Sequence, residues 1–273
     1  MTTPKKEPDD TSPVRAVMRA MDVLLSLVDG PLSLARIAER TSLTKPTAHR
    51  LLATLGRDQL IIQDPTTSDY MLGPACLGIA DSVLRGLGGL GMLARTTLEN
   101  LAQTSRETVA LHVPAGTQRV CVEQVPSPQP VRYTSTVGVA KPIYTGAMGK
   151  VLLAFMGDES RDELMRRMPF TRVTDATIVD RDVLAKQIRK AQADGYSVSY
   201  GEQAEGVAAV SAPVFGTNGH LLAALSVLGP ANRLPRATME EIAPLVRKAA
   251  EEISVSLRHP EVVASARRGA TDT

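Results

Sequence analysis

The stretch Ser33–Leu55, SLARIAERTSLTKPTAHRLLATL, holds two short helical patterns separated by three residues. Ser33 is placed to cap the first, whose Leu34, Ile37 and Ala38 fall on one side. Thr41-Ser42-Leu43 makes the turn. Thr44 is placed to cap the second, and Pro46 is tolerated in its first turn because a backbone donor is spare there. Ala48, Leu51, Leu52 and Leu55 follow i, i+3, i+4, i+7 spacing and predict a buried stripe. That stripe leaves Lys45, Pro46, His49, Arg50 and Ala53 outward, with Thr47 in the exposed first turn. Two short helices around a tight turn, the second showing cations at its N-terminal end, is the helix-turn-helix arrangement that enters a DNA major groove.

Outward from this core, Ser12-Pro13 reads as a helix start, and Val14, Val17, Met18, Met21, Leu25 and Val28 recur at helical spacing, predicting one buried face. Asp29-Gly30-Pro31 stops that helix. Downstream, Leu60–Gln63 and Tyr70–Leu72 are β-like runs around Asp64-Pro65-Thr66-Thr67-Ser68-Asp69, a plausible wing hairpin. Its tip carries no Lys or Arg, so any phosphate contact there falls to Thr66, Thr67, Ser68 or backbone amides. Between Pro13 and Leu72, Arg15, Arg19, Arg36, Arg40, Lys45, Arg50 and Arg57 face Asp22, Asp29, Glu39, Asp58, Asp64 and Asp69. This near balance leaves open the alternative of a merely solvated helical domain. The candidate DNA-contacting residues are Arg19, Ser42, Thr44, Lys45, Thr47, His49 and Arg50.

The chain has 273 residues, enough for two domains, and a formal net charge of +2, so no global basic field announces nucleic acid. Cys76 and Cys121 lie far apart and read as reduced residues, not as a disulfide or zinc framework. The polar start Met1–Ser12 is unlike a secretory leader, and no run approaches a membrane span, so a cytoplasmic protein is expected. Residues 1–12 and 259–273 read as disordered tails. The expected domains are 13–73 for the winged helix-turn-helix, 74–91 for a linker helix and Gly-rich hinge, and 92–258 for a larger second domain.

The hinge Gly86-Leu87-Gly88-Gly89-Leu90-Gly91 spells GxGxxG, but it follows a helical pattern instead of a strand, so it reads as linker and not as a dinucleotide site. Gly146-Ala147-Met148-Gly149-Lys150 is no P-loop either, because Tyr144 stands where glycine is needed and Val151 where Ser or Thr would hold magnesium. In the second domain, Thr108–Val113 and Arg119–Val125 predict a hairpin, as do Val207–Phe215 and Leu221–Leu228 around Asn218-Gly219. Helices are expected from about Thr145 and over Asp182–Ala193. Antiparallel strands flanked by helices can enclose a small-molecule pocket. The helix start at Ala147–Lys150 could aim backbone N–H groups at a ligand carboxylate.

The chain resembles the IclR family of transcriptional regulators from about Val14 to Leu257. The resemblance rests on Arg19–Leu24, Ser33–Ala38 and His49–Leu55 in the first half. In the second it rests on Glu107–Leu111, Gly138–Pro142, Ala147–Ala154, Ala212–Phe215 and Ala223–Pro230 followed by Arg233. It implies an α+β, two-domain chain: an N-terminal winged helix-turn-helix and a C-terminal GAF-like effector-binding domain, an antiparallel sheet flanked by helices. It implies repression or activation of an operon under control of a small effector, an organic acid or aromatic catabolite. It further implies a double-stranded DNA operator and homodimers or homotetramers as partners. Matching the family's pocket gives Tyr133, Lys141, Ala147, Met148, Ser199, Val207, Ala209, Leu221 and Ser226 as effector-binding candidates. Lys141 facing inward would favour an anion; facing solvent it means nothing. Lys150 reads as a solvated or cap-adjacent lysine, and Arg233 as a structural anchor for the last helix.

The competing class is a small-molecule enzyme with a helical appendage. His49, His112, His220 and His259 stand without metal-ligand spacing, no GxSxG occurs, and neither cysteine has a nucleophile context. No catalytic residue, metal or cofactor is therefore expected. A sequence-neutral DNA-packaging role conflicts with the near-neutral charge and the large apolar second domain.

Overall fold

The computed structural model describes residues 13–86 and 89–258. The chain divides into two compact units, 1–86 and 87–273. The expected tails, and Leu87-Gly88 of the expected hinge, lie outside the described residues.

The first unit runs α1 (Arg15–Ser26), α2 (Leu34–Arg40), α3 (Lys45–Arg57), β1 (Ile61–Gln63), β2 (Tyr70–Leu72) and α4 (Ala75–Gly86). Ser33 caps α2, its hydroxyl accepting from the Arg36 N–H at 3.4 Å. β1 and β2 pair antiparallel, and Leu32 bridges to Tyr70 on the far side, so the wing grows out of a small three-stranded arrangement. Val23, Leu27, Ile37, Leu52, Ile61 and Tyr70 form the core.

The first helix departs from its expected orientation. Val14, Val17, Met18, Met21, Leu25 and Val28 are 46 % to 65 % exposed, and α1 meets its own unit through Val23, Leu24 and Leu27 instead. The helix is apolar on two sides, and periodicity alone does not say which side faces the same chain. It also begins later than expected, at Arg15 with Val14 in the N-cap position; Ser12 lies outside the described residues. On α4, Leu77, Ile79 and Val83 are likewise exposed, Leu77 to 73 %.

The second unit contains α5 (Leu90–Ser105), β3 (Thr108–Ala115), β4 (Gln118–Val125), β5 (Ala140–Pro142), α6 (Gly146–Phe155), α7 (Asp158–Arg167), α8 (Arg181–Asp194), β6 (Ser197–Tyr200), β7 (Val207–Phe215), β8 (Leu221–Pro230) and α9 (Arg236–Arg258). Leu90 and Gly91, expected in the hinge, form the first turn of α5, and Leu90 is fully buried. The six strands form one sheet in the order β5-β4-β3-β8-β7-β6, and every neighbouring pair is antiparallel. Strand residues alternate between two faces. Val109, Leu111, Val210, Ala212, Leu225 and Val227 point toward α5 and α9. Ala110, Cys121, Ala209, Ala224 and Leu228 point toward α6 and α8. The sheet is thus buried on both faces, with a helical layer on each.

α6 lies so close to the segment before it that residue 149 has no room for a side chain. A Cβ added at Gly149 would stand 1.8 Å from the Ile143 carbonyl oxygen, a backbone atom that cannot turn away. Gly149→Ala is expected to destabilise the second unit by about 3 kcal/mol or more, read as a lowered melting temperature. Gly78→Ala, in open space on α4, should be neutral or stabilising by up to ~1 kcal/mol.

Candidate nucleic-acid interface and effector cavity

In α3 the leucine stripe faces inward. Ala48 and Leu52 are buried, and Leu51 and Leu55 pack beside the core. Lys45, Pro46, His49, Arg50 and Ala53 are exposed and Thr47 is half-buried. Thr44 takes the extended N-cap conformation, but its hydroxyl bonds to the Thr47 hydroxyl at 2.9 Å and not to a backbone N–H. Ser42 sits exposed at the turn with a left-handed backbone, and Arg19 is exposed on α1.

The cations of this helix differ from those of α2. Arg36 is paired with Glu39 and Arg40 with Asp29. Among the described residues, Lys45 and Arg50 make no ion pair, so their charge faces outward unneutralised, with the exposed His49 imidazole beside them. The wing tip behaves oppositely. Asp64 accepts from the Thr66 and Thr67 N–H groups at 2.7 and 3.2 Å, and these bonds hold its carboxyl below the ordinary range. The Thr66 and Thr67 amides, among the tip groups considered above for phosphate contact, are therefore already taken, and the tip keeps an ionised acid where a cation would help.

The second unit encloses a small cavity between the sheet and the start of α6, its wall mixed polar and apolar. Of the expected effector residues, Tyr133, Lys141, Met148, Ser199, Val207 and Ala209 line it. Ala147, Leu221 and Ser226 do not. Ala147 is packed in the α6 core, Leu221 lies against that same core, and the Ser226 hydroxyl bonds to Ser211 on the neighbouring strand at 2.7 Å. The wall is completed by His112, Arg119, Ser135, Gly146, Gln203 and Leu228, which sequence reasoning missed. Strand alternation could have found Arg119, which shares a face with buried Cys121 two residues on. The free space is about 20 Å³, room for one water-sized body. A larger groove of about 290 Å³ runs along edge strand β6, but its polar rim includes the exposed pairs Arg236–Glu240 and Lys190–Asp194.

The cavity is framed by buried charge. Lys150 is not solvated, as expected above, but buried, with its Nζ 2.6 Å from Glu202 Oε1. Glu202 Oε2 accepts from the Gly146 N–H at 3.1 Å. The chain's own carboxylate thus occupies part of the helix start considered above for a ligand. Glu202 is anchored in turn: its carbonyl accepts from the Thr177 hydroxyl at 2.9 Å. Arg119 is fully buried, donating Nη1 to the Pro142 carbonyl at 2.9 Å and Nη2 to Gln203 Oε1 at 3.1 Å. Burial draws its pKa down to about 10. Burial, reinforced by Arg119 and Lys141, draws His112 down to about 3, so its imidazole is neutral in ordinary buffers. Arg233 anchors the approach to α9, pairing with Glu107 and donating to the Val131 carbonyl at 3.0 Å.

Removing one partner of a buried pair leaves a bare charge. Lys150→Met is expected to cost about 3–5 kcal/mol of stability. The double variant Lys150→Met/Glu202→Gln, which keeps an acceptor for Gly146, should recover most of it. Equal melting of the single and double variants would show that the pair is not coupled.

Each of the two units resembles a known domain. Residues 89–255 match the bacterial transcriptional regulator IclR C-terminal model, and residues 16–65 match the IclR helix-turn-helix domain. The HTH-type transcriptional regulator BhcR of Paracoccus denitrificans is 29 % identical over 250 residues, covering 91 % of this chain and 89 % of that one. The crystal structure of the Thermotoga maritima IclR superposes with a TM-score of 0.72 at 26 % identity, covering 89 % of this chain and 98 % of that one. An IclR homolog of Microbacterium hydrocarbonoxydans, crystallised with 4-hydroxybenzoate, gives 0.73 at 25 % identity, covering 89 % and 99 %. Among the described residues no helix is long and apolar enough to cross a membrane. With its helix-turn-helix unit and its effector-binding C-terminal unit, the chain belongs to the IclR family of transcriptional regulators.

Proposed function

We propose that this regulator reads its operator through α3, with Lys45, His49 and Arg50 reaching base edges or phosphates and Arg19, Ser42, Thr44 and Thr47 making flanking contacts. The observation that carries the reading is the outward, unpaired charge of α3 over an inward leucine stripe. A helix of these dimensions fits the major groove, and its positive N-terminal end favours nearby phosphates. The protein acts without catalysis, in the cytoplasm, and releases or engages DNA when a small molecule binds the second unit. Tyr133, Lys141, Met148, Ser199, Val207 and Ala209 are the effector contacts this reading keeps. The neighbour crystallised with 4-hydroxybenzoate supports a small organic acid as the effector class.

The functional form is a homodimer, which can assemble further into a homotetramer. The apolar face of α1 from Val14 to Val28, with Leu77, Ile79 and Val83 on α4, lies exposed in the single chain. Isolated helices seldom leave so much apolar surface in water, and a second copy would cover it.

Two measurements test this. In gel shifts with the upstream region of its own gene, Lys45→Ala and Arg50→Ala should each weaken binding. Each should also flatten the slope of log affinity against log salt by about one unit. Unchanged affinity and slope in both variants would refute α3 as the reader. Met21→Asp, on the exposed face of α1, should shift sedimentation toward monomer and abolish operator binding; an intact dimer would refute that face as the interface.

A further inference from the structure

Arg119 stands out among the buried charges of the second unit. Lys150 is compensated by Glu202 and Glu107 by Arg233. Arg119, 1 % exposed, has only two neutral oxygens for partners, and its Nε has none. Among the described residues no carboxylate lies within ion-pair distance of it. Lys141 is its cross-strand neighbour on β5 and lines the same cavity, adding a second positive charge. His112 Nδ1, on the same wall, is buried and also unpartnered. A buried cation without a counter-charge costs several kcal/mol, and such a group on a cavity wall is a candidate for binding an anion.

Gln203 shows where that charge would sit. Its Oε1 accepts from both Arg119 Nη2 and the Thr145 hydroxyl, a neutral oxygen held between two donors. The Nε and Nη2 edge of a guanidinium is a two-pronged fork matched to a carboxylate. Here one prong is vacant and the other rests on an amide.

We propose that Arg119 is the group that selects the effector's carboxylate, which displaces the Gln203 amide oxygen and takes the Nε/Nη2 edge of the guanidinium. Lys141 then adds long-range attraction, and His112 Nδ1 reads a second polar group on the ligand. This deepens the reading of the second unit as a sensor and rests on it. The displacement also accounts for the size of the cavity. About 20 Å³ does not admit a carboxylic acid, and displacing the Gln203 side chain would supply space beside Arg119. Gln203 lies on the segment 201–206, bounded by Gly201 and Gly206 at φ +67° and +70°. Glycine takes this left-handed backbone at no steric cost, so the segment has two natural pivots. Its other side chain at this place, Glu202, holds Lys150 and the start of α6. Moving Gln203 therefore loads the contact that fixes α6.

The test is calorimetric titration of the full-length protein with acetate, propanoate, pyruvate and benzoate, each set against its primary amide. At least one acid should bind wild type about tenfold or more tighter than its amide. Arg119→Gln should lose that preference, with the acid falling to the affinity of the amide. Arg119→Lys, which keeps the charge without the fork, should fall between. Gln203→Ala should bind the acid at least as tightly as wild type, because the internal competitor is gone. Operator binding by Arg119→Gln confirms that it is folded; if it does not fold, Arg119→Lys and the acid–amide contrast in wild type decide. The proposal is overturned by equal binding of acids and amides, by full acid affinity in Arg119→Gln, or by no acid binding wild type. A neutral ligand that binds and releases DNA would sink the anion assignment and leave the sensor standing. DNA binding indifferent to every ligand that occupies the cavity would sink the sensor instead.

Discussion

The start of α6 is held by a buried charge, and the candidate effector site is arranged around that fact. Lys150 projects from the helix into a space where water cannot reach it, so it requires a carboxylate. Glu202 supplies it, and its second oxygen takes the Gly146 N–H that no helical carbonyl could satisfy. One side chain thus neutralises a cation and caps a helix. In doing so it brings the segment 201–206 across the mouth of α6 and sets Gln203 beside Arg119. The close approach of the helix to the Ile143 carbonyl, possible only because residue 149 lacks a side chain, holds α6 against the segment before it. Between these two constraints the cavity has little freedom of position.

Replacing Lys150 and Glu202 by apolar residues of similar size would on general grounds leave stability unchanged or improved. The retained pair therefore asks for another explanation, and its position gives one. Hydrophobic packing at that point would be indifferent to small shifts of the segment, whereas a short ion pair with a shared helix cap has one good geometry. A site that must report whether its pocket is filled benefits from a contact that is either made or broken.

Much of this was legible in the sequence because it rests on short-range rules. Ser33 and Thr44 mark the helix starts by position, and the Asn218-Gly219 hairpin and the alternating strands 108–113 and 207–215 appear where periodicity puts them. The stripe Ala48, Leu51, Leu52, Leu55 points inward as spacing requires. What escaped were partnerships over long sequence separations. Nothing in the GAMGK run shows that Lys150 has a partner 52 residues away, so it read as a surface lysine. Arg119 read as an ordinary strand residue because a buried arginine is rare enough to be discounted. Ser226 read as a pocket residue by resemblance, while its hydroxyl is satisfied across the strand pair by Ser211. The helix α1 failed differently: its apolar side was identified correctly and its destination was not. A pattern of buried type cannot say whether the covering surface belongs to the same chain.

That last ambiguity bears on how a chain of nearly neutral charge can hold DNA. At ordinary ionic strength a phosphate senses charges within about 10 Å, so the overall balance of +2 matters less than what lies close to α3. There, Arg36 and Arg40 are spent on Glu39 and Asp29, leaving Lys45, Arg50 and Arg57 of α3 as the outward charge. The wing adds none, because Asp64 has folded the tip amides onto itself. Three side chains and a helix end make a weak grip for one copy. Under the proposed dimer the grip is doubled, and binding to two half-sites makes the second engagement intramolecular. The apolar face of α1 and the modest basicity of α3 are then two sides of one design, in which the single unit is too weak to bind by itself. Under that proposal operator affinity would depend on how the two copies are spaced, which is the quantity a ligand-dependent rearrangement can change.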